Sequence, residues 1–139
     1  MSELDVRWMQ RFESFGKAFG LLREALDLGL ENLSMLEREG AMQRFEFTFE
    51  LAWKTMKDFL EASGVPLKET TPRNVIKAAF AAKLVEDGQL WIDMMLRRNE
   101  MSHQYDGKKF EGVLSEVRLK FLPALIAFHQ GFTKRLSEG

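Results

Sequence analysis

The sequence predicts an all-α fold, an up-and-down bundle of four to five helices. Three observations carry this. Apolar residues recur at spacings of three and four in every long run, and no run alternates with the two-residue period of a strand. Only three prolines occur, at 66, 72 and 123. The connections between periodic runs are mostly short, which favours antiparallel neighbours. The 139 residues fit one domain, 1–139. A chain of this size buries roughly 68% of its unfolded surface, enough for a core without staples.

The first helix is expected from about Val6 to Arg38. Phe12, Phe15, Phe19, Leu22, Leu26 and Leu30 form its apolar stripe. Gly16, Gly20 and Gly29 weaken it by ~1 kcal/mol each relative to Ala, and allow another helix to approach closely. The second helix covers 38–64. Met42, Phe45, Phe49, Ala52, Trp53, Met56 and Leu60 make one stripe, and Phe47 and Leu51 a second beside it. A helix apolar on two sides belongs at the centre. Glu50 precedes Lys54 by four, a favourable surface pair. Ser63-Gly64 and Pro66 end this helix. Thr71 caps a third helix with Pro72 at its first position, and Val75, Ile76, Ala79 and Phe80 are expected to face inward. Asp87 caps a fourth, Leu90 to about His103, which stops at Gly107. A last stretch from about Phe110 to Leu136 must kink or divide at Pro123.

Composition narrows the function classes. Hydrophobic content of 45% and charge of 29% are those of an ordinary soluble globular chain. The lack of cysteine removes disulfides, zinc thiolate sites and thiol nucleophiles, and suits a reducing cytoplasm. No apolar run approaches a membrane span, and "MSELDVRW" has no apolar core of an export signal. A cytoplasmic location without membrane attachment is therefore expected. The net charge of −1 argues against nucleic-acid affinity through bulk charge, so RNA contact needs a local basic patch.

The stretch "LRRNEMSHQYDG", 96–107, holds the candidate site. On a helix, Ile92, Leu96, Asn99 and His103 share one line, an apolar line continued by two polar residues. Asn99, four before His103, is placed to orient its imidazole. Arg98 and His103 lie roughly 140° apart around an ideal helix. They converge only if the helix unwinds or if a two-fold dimer brings a second pair alongside. Arg98 suits a phosphate, His103 moves protons near neutrality, and Lys108 and Lys109 are either further phosphate contacts or simply a solvated pair. Arg plus His suffices for RNA cleavage, in which the 2′-hydroxyl attacks its own phosphate. No metal site and no cofactor are expected, because His103 and His129 are far apart in sequence and no carboxylate cluster joins either. His129 reads as a helix-surface or interface histidine.

"RRNEMSHQYD" resembles the signature of the HEPN superfamily of small helical proteins, with Arg98, Asn99, His103 and Tyr105 at the motif positions. "MQRFEFTFELAWKTMKDFL", "TPRNVIKAAF" and "LVEDGQLWIDMMLRRNEMSHQYD" are similar to nucleotidyltransferase substrate-binding proteins of that superfamily, over about residues 10 to 130. The resemblance implies a HEPN-like bundle that dimerises and a small nucleotidyltransferase encoded nearby. It also implies one of two functions. In the first, the chain is the endoribonuclease toxin of a two-gene toxin–antitoxin-type module, metal-independent, with Arg98 and His103 catalytic and Asn99 supporting. The partner then silences it by adding AMP to Tyr105, which an Asp106-Gly107 turn is expected to hold at the surface. In the second, it is a non-catalytic subunit that binds the nucleotide or other substrate of a two-component nucleotidyltransferase.

Overall fold

The computed structural model describes residues 2–103 and 106–138, and of His103 only the backbone. Every long element in it is helical: α1 Glu3–Asp27, α2 Met35–Ala62, α3 Pro72–Ala81, α4 Gly88–His103, α5 Gly107–Glu116 and α6 Leu122–Glu138.

The expected first helix divides. It ends at Asp27, and Gly29 takes φ +86°, a left-handed conformation that favours glycine. A single 3-10 turn, Leu30–Asn32, follows. Ser34 then opens α2 with a reciprocal capping box: its hydroxyl accepts from the Glu37 N–H, and its own N–H donates to Glu37. Two of the backbone donors left over at a helix start are thereby satisfied. Arg38 ties the connector down by donating to the carbonyls of Leu30 and Leu33 and pairing with Glu111 of α5 at 2.6 Å.

Side-chain pairs give the helix directions. Arg11 meets Asp58 and Arg44 meets the carbonyl of Leu21, so α1 and α2 are antiparallel. Arg97 meets Glu116 and Glu100 meets Lys109, so α4 and α5 are antiparallel too. Phe45 lies by Phe121 and Phe59 by Phe132, which sets the last rod parallel to α2. The result is the up-and-down bundle expected, formed by α1, α2, α4 and the α5–α6 rod, with short α3 in the α2-to-α4 connection. The central place expected of α2 is observed, since it packs against α1, α3, α4 and α5.

The core is one cluster rich in phenylalanine. Phe15, Phe45, Phe49, Phe121 and Phe132 are fully buried. Phe128 joins Phe15 at 5.0 Å and Phe132 at 4.7 Å between ring centroids. Buried Thr48 and Thr55 bond back to the carbonyls of Arg44 and Leu51. Buried Asp58 takes Arg11 at 3.0 Å and Lys57 at 3.3 Å. Its Oδ1 has the Lys57 charge nearby without an aligned hydrogen bond.

Several expectations change. Phe47 is exposed in a shallow groove beside Leu21 and Arg44, whereas Leu51, the other member of the second stripe of α2, is partly buried against the core. Phe80 is also exposed and packs beside Gly88, where an added Cβ would sit 3.1 Å from its ring. Gly16 is not needed for close approach, since a Cβ there would meet His129 at an ordinary 3.8 Å. Asp106 and Gly107 are not a free turn: Asp106 caps α5, accepting from the N–H groups of Lys108 and Lys109. The last rod continues from Gly107 to Glu138 and widens into a π turn, Val117–Phe121, just before Pro123. Proline lacks an N–H and its ring would strike the carbonyl four residues back; the wider turn relieves both faults. Thr71, Pro72 and Asp87 sit where expected, with Thr71 accepting from Asn74 and Asp87 from Leu90.

Candidate functional site

α4 carries a buried line, Trp91, Met94 and Met95, and the next residue on it is Arg98. The Arg98 side chain is 26% exposed, so its stem leaves the core and its head reaches the rim. The line that sequence periodicity singled out, Ile92 to His103, is not core along its length, since Leu96 and Asn99 are exposed.

Across from Arg98 stands α2. The Arg98 Nη2 donates to Glu50 Oε2 at 2.6 Å. Glu50 is itself held by the Trp53 indole N–H at 3.1 Å and the Lys54 ammonium at 3.3 Å. The surface pair expected between Glu50 and Lys54 is present, but it is one side of a cross-helix cluster. Burial alone would raise the Glu50 carboxyl. The Trp53 hydrogen bond and the charges of Arg98 and Lys54 outweigh it, so Glu50 sits below the usual carboxylate range and is an anion at neutral pH. Glu46, one turn earlier, goes the other way: burial raises it, and Arg98 only partly offsets the rise. The Nε of Arg98 is buried and has no hydrogen-bond partner among the described residues. Among the described residues the guanidinium is thus gripped through one nitrogen, its Nη2.

Beyond Arg98 the basic groups separate. Lys109 lies 3.3 Å from Glu100, which also accepts from Arg97 at 2.9 Å, while Arg97 reaches Glu116 at 3.1 Å. This network joins α4 to α5 and engages Lys109 away from Arg98. Lys108 is exposed at the start of α5. The His103 side chain and Tyr105 lie outside the described residues, and so does the relation of Asn99 to the imidazole. Among the described residues no group of three His, Asp or Glu side chains is placed to hold a metal ion. No helix among them is long and apolar enough to cross a membrane.

His129 differs from expectation. It is half-buried against α1, with its ring 5.4 Å from Phe12 and 5.6 Å from Phe19. Burial, and then the charge of Arg23, hold it below the ordinary histidine range. It is a core-edge aromatic far from Arg98 in sequence. The residues that sequence reasoning missed at the site are Glu46 as a neighbour of Arg98, Trp53 as a donor to Glu50, and the second role of Glu50. The only signal was the spacing of Glu46, Glu50 and Lys54, which puts all three on one face of α2.

Comparison with known proteins meets these residues directly. A probable ribonuclease HepT of Haemophilus influenzae is 30% identical over 81 residues, and the match covers 56% of each chain. The present chain therefore spans little more than half the length of that relative. A Thermus thermophilus protein of known crystal structure superposes with a TM-score of 0.69 at 31% identity, covering 88% of this chain and 98% of that one. The family model for nucleotidyltransferase substrate-binding-like proteins matches residues 10–134, which takes in α2, α4 and the whole Arg98 cluster. With nearly the full bundle matched, the chain belongs to the nucleotidyltransferase substrate-binding-like family, as the HEPN-type signature led one to expect.

Proposed function

We propose that the chain is the helical partner of a small nucleotidyltransferase encoded nearby, and that as a cytoplasmic homodimer it cuts RNA without a divalent metal. The observation that carries the reading is Arg98 at the end of a buried line on α4, gripped by Glu50 and only a quarter exposed. A permanent cation held at a rim is what a phosphate clamp requires. The likeness to a probable ribonuclease supports the same chemistry. Leu96, two positions before Arg98, and Phe47, three before Glu50, are exposed apolar groups suited to a second copy beside the site.

In this reaction the RNA 2′-oxygen attacks the adjacent phosphorus. His103 takes the 2′-hydroxyl proton. The bond from phosphorus to the 5′-oxygen breaks, and the second copy's His103 supplies the proton that the leaving oxygen needs. A 2′,3′-cyclic phosphate and a 5′-hydroxyl result. Arg98 carries the charge that builds on the non-bridging oxygens. Asn99 supports His103, and exposed Lys108, with Lys109 if the strand draws it from Glu100, supplies further phosphate contacts. Silencing follows when the Tyr105 hydroxyl attacks the α-phosphorus of ATP and pyrophosphate leaves. The tyrosyl-AMP then competes for Arg98 and blocks the strand.

The test is cleavage of single-stranded RNA by the purified protein, with and without chelator, beside His103→Ala. Cyclic-phosphate ends that survive chelation and vanish in the variant support the proposal. Cutting that needs a metal, or that survives loss of His103, overturns it. Tyr105→Phe should block AMP labelling by the partner and leave the nuclease active in its presence. A second reading, a non-catalytic subunit that presents a substrate to the nucleotidyltransferase, is favoured by the family's description. Tight nucleotide binding with no cleavage of any RNA would select it.

A further inference from the structure

Resting on the reading of Arg98 as an anion clamp, we propose that Glu50 is a specificity-determining residue that makes the clamp prefer singly charged phosphodiesters over more highly charged free phosphates. Glu50 occupies one nitrogen of the guanidinium at 2.6 Å, and it is fixed there by Trp53 and Lys54 rather than free to swing away. It remains an anion at neutral pH, for the reasons given above. Any phosphate that reaches Arg98 therefore binds within a few ångströms of a fixed negative charge. The opposing charges of Arg98 and Lys54 against Glu50, with Glu46 one turn away, leave the cluster with little net pull on a polyanion.

Attraction to Arg98 and Lys54 and repulsion from Glu50 and Glu46 both grow with each charge the phosphate carries, so beside a cluster of little net charge a phosphate gains little by going from one negative charge to three. At a separation of roughly 6 Å and an effective dielectric between about 40 and 80, Glu50 alone lowers affinity about three- to tenfold for each unit of ligand charge. A backbone diester bears one such factor, whereas pyrophosphate or a nucleoside triphosphate bears several. A clamp built this way ignores the abundant free nucleotides around it and takes the backbone of a polynucleotide, whose other contacts supply the remaining affinity.

The experiment measures two dissociation constants on the intact protein. The first is for a fluorescent single-stranded oligonucleotide with 2′-O-methyl riboses, which cannot be cut. The second is for pyrophosphate as its competitor. Glu50→Gln keeps the shape and removes the charge. It should tighten pyrophosphate binding by tenfold or more and oligonucleotide binding by only about threefold. Glu50→Asp, which keeps the charge, should leave the ratio near that of the parent. Lys54→Gln, on the solvent side of the pair, should move the ratio the opposite way, by weakening pyrophosphate most. That arm stands even if the Glu50 variants fold poorly. Equal changes for both ligands, or no change in any variant, overturn the inference while the clamp stands, provided that Arg98→Ala weakens both. If Arg98→Ala alters neither constant, the clamp reading fails and takes this inference with it.

Discussion

Replacing Arg98 by alanine separates its work in folding from its work on a phosphate. In the fold, Arg98 makes one charge-assisted hydrogen bond to the described residues, at 2.6 Å to Glu50, and both side chains are 26% exposed. A hydrogen bond to a charged group contributes about 1.5–3 kcal/mol when shielded, and an exposed ion pair about 0–1 kcal/mol. This pair lies between the two. Its removal does not strand Glu50, which keeps Trp53 and Lys54. The destabilisation should therefore be about 1–2 kcal/mol, or a fall in Tm of roughly 3–8 °C for a chain of this length. A domain with a stability of about 5–15 kcal/mol stays folded after that loss. Loss of a phosphate clamp, by contrast, lowers cleavage by about 10²-fold or more. Thermal unfolding followed by circular dichroism, beside the initial rate of RNA cleavage at a temperature well below Tm, reads both numbers. The reasoning is refuted if Tm falls by much more than about 10 °C, because Arg98 is then mainly structural. It is refuted equally if the folded variant cuts at more than about a tenth of the parent rate.

Other perturbations probe the scaffold. Arg11→Ala leaves buried Asp58 with only Lys57 at 3.3 Å, in a contact that lacks an aligned hydrogen bond, and should cost about 2–4 kcal/mol in urea unfolding; a change within error would show that Lys57 alone satisfies the carboxylate. His129 is held below its ordinary range in the fold, so the unfolded chain binds its proton first. Stability from this group is present above the ordinary histidine value of 6.5 and is lost as pH falls through it toward the folded value, so His129→Leu should flatten that limb of the stability profile. Glu46 is raised in the fold, so its ionisation disfavours the folded state as pH rises through that raised value. Glu46→Gln should raise Tm at neutral pH, and the gain should shrink to nothing in acid below the ordinary carboxylate range; a variant that is less stable at neutral pH would contradict the assignment.

What was legible in the sequence follows the range of the forces involved. The stripes of α1 and α2 repeat at short spacing, and burial follows them at Phe12, Phe15, Phe45 and Phe49. The Thr71-Pro72 start of α3 was equally legible, since a cap acts within one turn. The break after Asp27 was written in the chain as well, in Gly29 and in the Ser34-to-Glu37 capping pair, but a stripe that ran on through Leu30 hid it. Phe47 and Phe80 follow the apolar period and are nevertheless exposed, because period gives the direction of a side chain and not whether another helix covers it. His129 looked polar in sequence and sits among phenylalanines, because α1 lies over that face of α6.

Arg98 stood out by residue type and spacing, but its chemistry is fixed from α2, 48 positions away along the chain. No local pattern reports that distance. Glu50 has a satisfactory neighbour in Lys54, and a charge with one partner gives no reason to look for another. The physical logic runs from the core outward. Trp91, Met94 and Met95 are buried against the rest of the bundle, so α4 cannot rotate without exposing them. A helix fixed by that burial carries Arg98 to one place on the rim, and α2, central and equally fixed, brings Glu50 to meet it. The grip on the guanidinium is therefore a consequence of core packing on both helices. A change that loosens this part of the core, such as Met94→Ala, should weaken phosphate binding at Arg98 although Met94 is fully buried beneath it. Its cost to stability should be about 2–5 kcal/mol from the cavity left behind. Anion affinity measured on the folded fraction decides the point: affinity equal to the parent's would mean that Glu50 and Arg98 find each other without the core that carries them.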